Sequence, residues 1–215
     1  EALLRLRDAE GLIGPGEVLP IASRRGLATA LDLAVLRSVR QDIESGAIPR
    51  GTGVAINFDG ESILDPEVSS SIQLLAMHAG DYKLVLEITE TTLISRFELM
   101  SRALLHYRSL GIKVALDDFG SGYSSLRYLA RMPVDIVKLD RSLVESYSQD
   151  AALRGMVVHV VEMLHGSGFA VVAEGIETES QRQDFQRLGV SYLQGWAFGR
   201  PERPAQPRPG PQAAA

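Results

Sequence analysis

Hydrophobic and polar positions along the 215-residue chain form two kinds of segment. Short apolar runs rich in β-branched residues, without strict alternation, are typical of strands buried on both faces, as in a parallel sheet. Such runs lie at Gly53–Phe58, Lys83–Ile88, Ile112–Leu116, Val134–Leu139, Phe169–Ala173 and Ser191–Leu193, with a candidate remnant of another strand at Ala2–Leu6. The pattern therefore predicts six clear parallel strands.

Longer segments with a helical period separate these runs. They lie at Ala28–Glu44, Asp65–Met77, Glu98–Leu110, Ala151–Ser167 and Thr178–Leu188, and glycines 80, 111, 168 and 189 are the predicted helix stops. Repeated strand–helix units predict an α/β fold in which helices cover a parallel sheet. Six strands leave two architectures open: an open doubly wound sheet, or a (β/α)8 barrel that has lost its first strand.

Composition narrows the function classes. The net charge is −5 and no basic stripe is present, which argues against a partner that is a nucleic acid polymer. The absence of cysteine excludes disulfides and thiolate metal sites. No apolar run reaches about 18 residues, so no membrane-spanning helix is predicted and a soluble domain is expected. The Pro- and Ala-rich stretch 204–215 is predicted to be a disordered tail after a single domain at 1–203.

A polar or ionisable residue lies at or just after the carboxyl end of every predicted strand. These residues are Asn57, Glu87, Asp117 with Asp118, Lys138, Glu174 and Gln194. Any one of them could be an ordinary cap or turn residue, but parallel α/β folds build their active sites at this edge. Oxygen donors without nearby cysteine or histidine favour hard cations such as Mg²⁺, Mn²⁺ or Ca²⁺. Four acids and an amide suit a two-metal centre for phosphodiester displacement.

The segment Asp117–Ser125 (DDFGSGYSS) allows two interpretations. Its acids and small residues suit a metal-binding loop that turns sharply, whereas its Gly-Ser-Gly could cradle a phosphate on backbone N–H groups. It matches neither GxGxxG nor GxxxxGK[ST], so it is not a nucleotide-binding fingerprint. The four histidines, all in predicted helical regions, are interpreted as surface or packing residues: His78, His106, His159 and His165.

Seven features in one order resemble the EAL domain family of bacterial cyclic di-GMP phosphodiesterases, over essentially Glu1 to Pro201. They are EALLR at 1–5, Asn57 after an apolar strand, EITE at 87–90, DDFGSGYSSL at 117–126, PVDIVKLDRS at 133–142, VVAEGIET at 171–178 and QGWAFGRP at 194–201. The resemblance implies a TIM-like (β/α)8 barrel with an antiparallel first strand. That strand and most of the second are expected to be missing at the N-terminus.

The resemblance also implies a role for each site residue. The implied metal ligands are Glu1, Asn57, Glu87 and Asp117, with Asp118 serving a second metal. Glu174 is the implied general base or ligand of a metal water, Lys138 orients the attacking water, and Gln194 hydrogen-bonds in the same site. Arg5 and Leu3 are expected to contact the substrate, and Glu90 to anchor the DDFG loop that leads to a dimer interface.

The implied reaction is hydrolysis of cyclic di-GMP to linear pGpG with two divalent cations, Mg²⁺ or Mn²⁺, and with Ca²⁺ as an expected inhibitor. The implied setting is cytoplasmic, in a homodimer and behind an upstream sensory or GGDEF-type domain that could anchor a longer protein to a membrane. Two alternatives remain open: a non-catalytic EAL module that acts as a cyclic di-GMP receptor, and a phosphate-binding barrel enzyme of small-molecule metabolism. This span alone is expected to fold poorly, because a missing strand leaves an open sheet edge.

Overall fold

A parallel six-stranded sheet forms the centre of the chain. The computed structural model describes residues 1–7, 11–58, 60–121, 129 and 131–202, so the predicted tail at 204–215 lies outside the described residues. The strands of the sheet, in chain order and spatial order alike, are β3 (Gly53–Phe58), β4 (Lys83–Thr89), β5 (Lys113–Phe119), β6 (Ile136–Leu139), β7 (Ala170–Ala173) and β8 (Tyr192–Leu193). Two short strands before it, β1 (Leu6–Arg7) and β2 (Leu12–Ile13), pair with each other in antiparallel fashion.

Eight α-helices lie within the described residues. They are α1 (Pro15–Arg24), α2 (Ala28–Glu44), α3 (Pro66–Ala76), α4 (Glu90–Ser95), α5 (Phe97–Ser109), α6 (Arg141–Tyr147), α7 (Ala151–Gly166) and α8 (Glu179–Arg187), with a 3-10 helix at Gly60–Leu64. None of these helices has both the length and the apolarity to span a bilayer.

The strand order decides between the two architectures left open by the sequence. A doubly wound sheet reverses its strand order at a switch point, whereas β3 to β8 follow one another without reversal. The side chain of Glu1 hydrogen-bonds both to Asn57 in β3 and to Gln194 just beyond β8, so the two outer strands curl towards each other. The fold is therefore a partial TIM-like α/β barrel, and the predicted fold class is confirmed.

The helices pack on the sheet through narrow apolar stripes. In α3 the buried residues are Val68, Ile72 and Leu75, spaced four and three positions apart, as one helix face requires. In β4, Leu84 and Ile88 face the same side and are each 1% exposed. This alternation leaves the intervening positions of the strand, including Glu87, for the inner side of the barrel.

The predicted elements match the observed ones closely, with three helices missed. Helix α1 contains Pro20, α4 follows directly on β-branched residues, and α6 has only seven residues, so none shows a clear helical period. Gly80 does not stop a helix as predicted, because α3 ends at Ala76.

The predicted remnant strand at 2–6 is also corrected. Ala2 makes one parallel bridge to β3, with its N–H donating to the carbonyl oxygen of Ala55 over 2.8 Å. Leu6 instead pairs with Ile13 in the β1–β2 ribbon. Among the described residues this bridge is the one backbone pairing of the N-terminal segment with the sheet, and it places Glu1 at the barrel mouth.

Candidate active site

The polar residues predicted at the strand ends meet at one mouth of the barrel, and Lys138 lies at their centre. Its ammonium nitrogen is 2.8 Å from a carboxylate oxygen of Glu174, 3.0 Å from one of Glu87 and 3.1 Å from one of Asp117. The Lys138 side chain is only 3% exposed. Burial lowers its pKa, but the surrounding carboxylates outweigh that effect and raise it, so the lysine stays protonated.

Glu87 carries the strongest sign that this mouth binds a ligand. Burial, and to a lesser extent Glu1 and Asp117, raise its pKa to about 7 despite the opposing effect of Lys138. Its Oε1 atom contacts Lys138, whereas its buried Oε2 atom has no hydrogen-bond partner among the described residues. Because a buried oxygen without a partner is costly, this atom indicates a ligand that supplies positive charge.

Glu1 joins the two sides of the mouth. Its Oε1 atom accepts a hydrogen bond of 2.6 Å from the side-chain amide of Asn57, and its Oε2 atom accepts one from the side-chain amide of Gln194. Burial raises the pKa of Glu1, but Lys138 and the two amides outweigh it and lower the pKa overall. The carboxylate is therefore ionised and held in one orientation.

Asp117 and Asp118 reach the same point through an irregularity in β5. Consecutive residues of a regular strand point to opposite faces, but the pairing of β5 with β6 shifts register between Leu116 and Phe119. Asp118 also has a φ of 56°, in the left-handed region that non-glycine residues seldom occupy. As a result, carboxylate oxygens of both aspartates lie within 4.8 Å of each other and of Glu174.

The charges around Asp118 are unbalanced. Burial, together with the neighbouring carboxylates of Asp117 and Asp140, raises the pKa of Asp118, and Lys138 only partly opposes this. Asp140 is a residue that the strand-end pattern missed. It follows β6 two residues after Lys138, and its side chain caps α6 by accepting from the backbone N–H of Ser142. The aspartate in the sequence KLDRS, residues 138–142, is the signal from which this residue could have been predicted.

Glu174 and Gln194 are held by backbone contacts between the last two strand ends. The backbone N–H of Gln194 donates to the carbonyl oxygen of Ala173 over 2.9 Å, and that of Ile176 donates to the carbonyl oxygen of Gln194 over 3.0 Å. Gly195 has a φ of 153°, and a Cβ atom there would collide with the backbone of Ile176. Glycine is required at this close approach, which keeps the loop after β7 against the loop after β8.

Two of the predicted site residues, Arg5 and Leu3, lie outside the ion pairs and hydrogen bonds of the cluster. Arg5 and Leu3 are exposed, and the Arg5 guanidinium donates to the neighbouring carbonyl oxygen of Leu4. Glu90 begins α4, one residue beyond β4. The DDFG segment of its predicted loop partner, 117–120, lies within the described residues, whereas 122–126 lie outside them. Of the Gly-Ser-Gly phosphate cradle, Gly120 and Ser121 are described and Gly122 is not. Substrate contact by Arg5 and Leu3 and loop anchoring by Glu90 stay predictions.

The donors at the mouth fit divalent cations. Carboxylate and amide oxygens are the ligands that Mg²⁺ and Mn²⁺ prefer, and no histidine belongs to the group of Asp117, Asp118 and Glu174. One buried ammonium faces three carboxylates, so the described cluster carries an excess of negative charge. Cations would offset this excess and supply a partner for Glu87 Oε2.

Fold and site together define an α/β barrel with a carboxylate-rich mouth suited to binding cations. A sequence profile of the EAL domain matches residues 1–201, and the chain belongs to the EAL domain family. The predicted resemblance is thereby confirmed.

Relatives with assigned names are similar over most of this chain. The bifunctional diguanylate cyclase/cyclic di-GMP phosphodiesterase MucR of Pseudomonas aeruginosa is 33% identical over 208 residues, which cover 94% of this chain and 30% of the relative. The cyclic di-GMP phosphodiesterase PdeF of Escherichia coli is 30% identical over 206 residues, covering 94% and 28%. The chain thus spans less than a third of the length of these two relatives.

Solved structures resemble the fold closely. A MucR phosphodiesterase in complex with cyclic di-GMP matches with a TM-score of 0.78 at 31% identity, over 93% of this chain and 83% of that chain. The EAL domain of FimX from Pseudomonas aeruginosa, bound to cyclic di-GMP, matches with a TM-score of 0.80 over 93% and 82%. At 22% identity, the FimX likeness concerns the fold alone.

Proposed function

We propose that this chain hydrolyses one phosphodiester bond of cyclic di-GMP, giving linear pGpG, with the help of divalent cations. The observation that carries the proposal is the buried Lys138 surrounded by three carboxylates, with a partnerless oxygen on Glu87. The names of MucR and PdeF, which are similar over most of the chain, support cyclic di-GMP as the substrate.

Two groups of residues would hold the cations. Glu1, Asn57, Glu87 and Asp117 would bind one, and Asp117 with Asp118 would bind the other. Bound divalent cations supply positive charge to the phosphate and lower the pKa of water at the site. The partnerless oxygen of Glu87 and the mutual approach of Asp117, Asp118 and Glu174 support this arrangement.

Glu174 is the proposed general base. Burial raises its pKa from the ordinary glutamate value, partly opposed by Lys138, which makes the ionised carboxylate a better proton acceptor. In the reaction a water oxygen bonds to phosphorus, the bond from phosphorus to the ribose 3′ oxygen breaks, and the leaving oxygen takes a proton from solvent. Glu174 accepts the proton of the attacking water, and Lys138, 2.8 Å away, holds the Glu174 carboxylate in place.

The test is incubation of the chain with cyclic di-GMP and Mg²⁺ or Mn²⁺, followed by chromatography for pGpG. Chelation of the cations, or their replacement by Ca²⁺, is expected to stop turnover. Glu174→Gln is expected to lower kcat at least about 100-fold, because it removes the proton acceptor, while calorimetry shows cyclic di-GMP still bound. Glu162→Gln is the matched control, since this exposed glutamate lies on α7 and pairs only with His159 among the described residues.

The outcomes separate the alternatives. Binding of cyclic di-GMP without any pGpG would support the receptor, and turnover of simple phosphate esters alone would support a small-molecule enzyme. Near-normal turnover by Glu174→Gln would show that the base is another residue.

We also infer that the chain acts within a longer cytoplasmic protein, behind a sensory or GGDEF-type domain, and as a homodimer. The bifunctional name of MucR, of which the matched span is 30%, supports the GGDEF-type partner. Sedimentation equilibrium of the chain would test the dimer, and a monomer at all concentrations would contradict it.

A further inference from the structure

Arg141 connects the end of β6 to the loop that follows β7. It is the first residue of α6, and its Nε atom donates to Glu145 over 2.6 Å. Its Nη1 atom lies 3.0 Å from a carboxylate oxygen of Glu177, three residues beyond Glu174. The Arg141 side chain is 53% exposed, so these ion pairs contribute little to global stability. The pair with Glu177 links α6 to the loop that carries Glu174.

Gly175 lies directly beneath the aliphatic stem of Arg141. Its φ is 71°, and a Cβ atom at this position would lie 2.6 Å from Cγ and 2.9 Å from Cβ of the arginine. Among the described residues no backbone hydrogen bond reaches Gly175. The stem of Arg141 therefore covers this peptide on the side where a Cβ atom would lie, and only glycine allows the approach.

The covered peptide is the one next to the Glu174 carboxylate. The backbone on either side is held, because the N–H of Glu174 donates to Leu139 over 3.2 Å and that of Ile176 donates to Gln194 over 3.0 Å. Gly175 is the one residue of this turn without such a bond within the described part of the chain. Motion at Gly175 would change the direction in which Glu174 points.

We infer that Arg141 is a positioning residue, whose stem on Gly175 and ion pair with Glu177 fix the direction of the Glu174 carboxylate. The inference rests on the proposed role of Glu174 as the general base. A small displacement of a reacting group is enough to lower the chemical rate without changing substrate affinity.

The kinetic test compares three variants at Arg141. Arg141→Met keeps much of the stem and removes the ion pairs, and it is expected to lower kcat about tenfold with KM changed less than about twofold. Arg141→Ala removes both contacts and is expected to lose more. Arg141→Lys is expected to recover part of the loss, because an ammonium can reach Glu177 but cannot bridge two carboxylates as a guanidinium does. Arg40→Ala, which breaks another exposed pair four residues apart, is the matched control and is expected to leave kcat unchanged.

A second measurement is independent of turnover. Without substrate, hydrogen–deuterium exchange of the peptide 173–178 is expected to be about tenfold faster in Arg141→Met than in the parent chain. Exchange of a peptide from β4 and the Tm serve as controls, and both are expected to be unchanged. Unchanged exchange in 173–178, or a raised KM with normal kcat, would overturn the inference. If the parent chain forms no pGpG and the exchange still rises, the proposed function fails while the positioning contact stands.

Discussion

Two charged clusters lie at opposite ends of β6, and their charge balance is opposite. At the amino end, Asp135 accepts two hydrogen bonds of 3.0 Å from Arg108, one of 2.9 Å from Lys113 and one of 3.1 Å from the backbone N–H of Val114. At the carboxyl end, Lys138 faces three carboxylates. Arg108 and Lys113 balance the negative charge of Asp135. Lys138 alone does not balance the three carboxylates that face it.

The pKa values follow this difference. Burial raises the pKa of Asp135, but the hydrogen bonds from Arg108, Lys113 and the backbone outweigh it and lower the pKa. Burial raises the pKa of Glu87 to about 7, and the single lysine does not compensate. The amino end of an α/β barrel commonly serves stability and the carboxyl end serves chemistry. Asp135 belongs to the amino end and Lys138 to the carboxyl end, so the two kinds of cluster lie within residues 135–138.

The largest expected loss of stability comes from replacing Lys138, the cation that faces the carboxylates in the described cluster. Lys138→Met leaves the carboxylates of Glu87, Asp117 and Glu174 without the cation they share, so the free energy of unfolding at pH 7 should fall by about 3 kcal/mol. The loss should be smaller at pH 5, because the raised pKa of Glu87, about 7, lets its carboxyl group take up a proton there. Urea unfolding at both pH values measures this.

A control for that variant comes from the other cluster. Lys113→Met removes a 62% exposed side chain from an acid that keeps Arg108, so its loss should be below about 1 kcal/mol. Equal losses for the two lysine variants would show that burial and charge balance do not distinguish the clusters.

A smaller loss of stability is expected from Asp135→Asn. It weakens the bonds to Arg108 and Lys113 and should lower the free energy of unfolding by about 2 kcal/mol. Because Asp135 lies at the far end of the strand, kcat for cyclic di-GMP should stay within about twofold of the parent. Denaturant unfolding and pGpG formation measure the two quantities. A kcat reduced with stability unchanged would reverse the roles assigned to the two ends.

The smallest effect is a pH dependence at Asp135. An aspartate in the unfolded chain has a pKa of about 3.9, and the folded-state pKa of Asp135 is lower. Between these values the unfolded state binds more protons, so stability falls as the pH falls. The difference in unfolding free energy between the parent and Asp135→Asn should be constant above about pH 5 and shrink below pH 4. A difference that grows on acidification would show the opposite sign of shift.

Much of the fold follows from local patterns. The apolar residues of β3 and the helical period of α2 predicted the observed bounds, Gly53–Phe58 and Ala28–Glu44. The missed helix α4 has the sequence ETTLIS, and Thr89, directly before it, caps the first turn by accepting from the N–H of Thr92. Its β-branched threonines continue the strand pattern, so the helix start depends on a cap that periodicity does not show.

The site was predictable where it depends on the parallel arrangement alone. Glu87, Lys138 and Glu174 were expected to meet because parallel strands end at one edge, and the structure brings them within ion-pair distance. The joint approach of Asp117 and Asp118 was not predictable in detail, because it requires the shifted register of β5. The contact of Arg141 with Gly175 could not be predicted either, since it depends on how the start of α6 packs against the loop after β7.

The left-handed backbone at Asp118 limits what a mutational scan of this position can show. Alanine would remove a carboxylate and also bear a backbone cost of about 1 kcal/mol, so an inactive alanine variant would not identify which loss mattered. Asparagine tolerates the same φ and keeps one oxygen, and glycine tolerates it with no side chain at all. Comparison of Asp, Asn and Gly at position 118 therefore separates the chemistry of the side chain from the shape of the main chain.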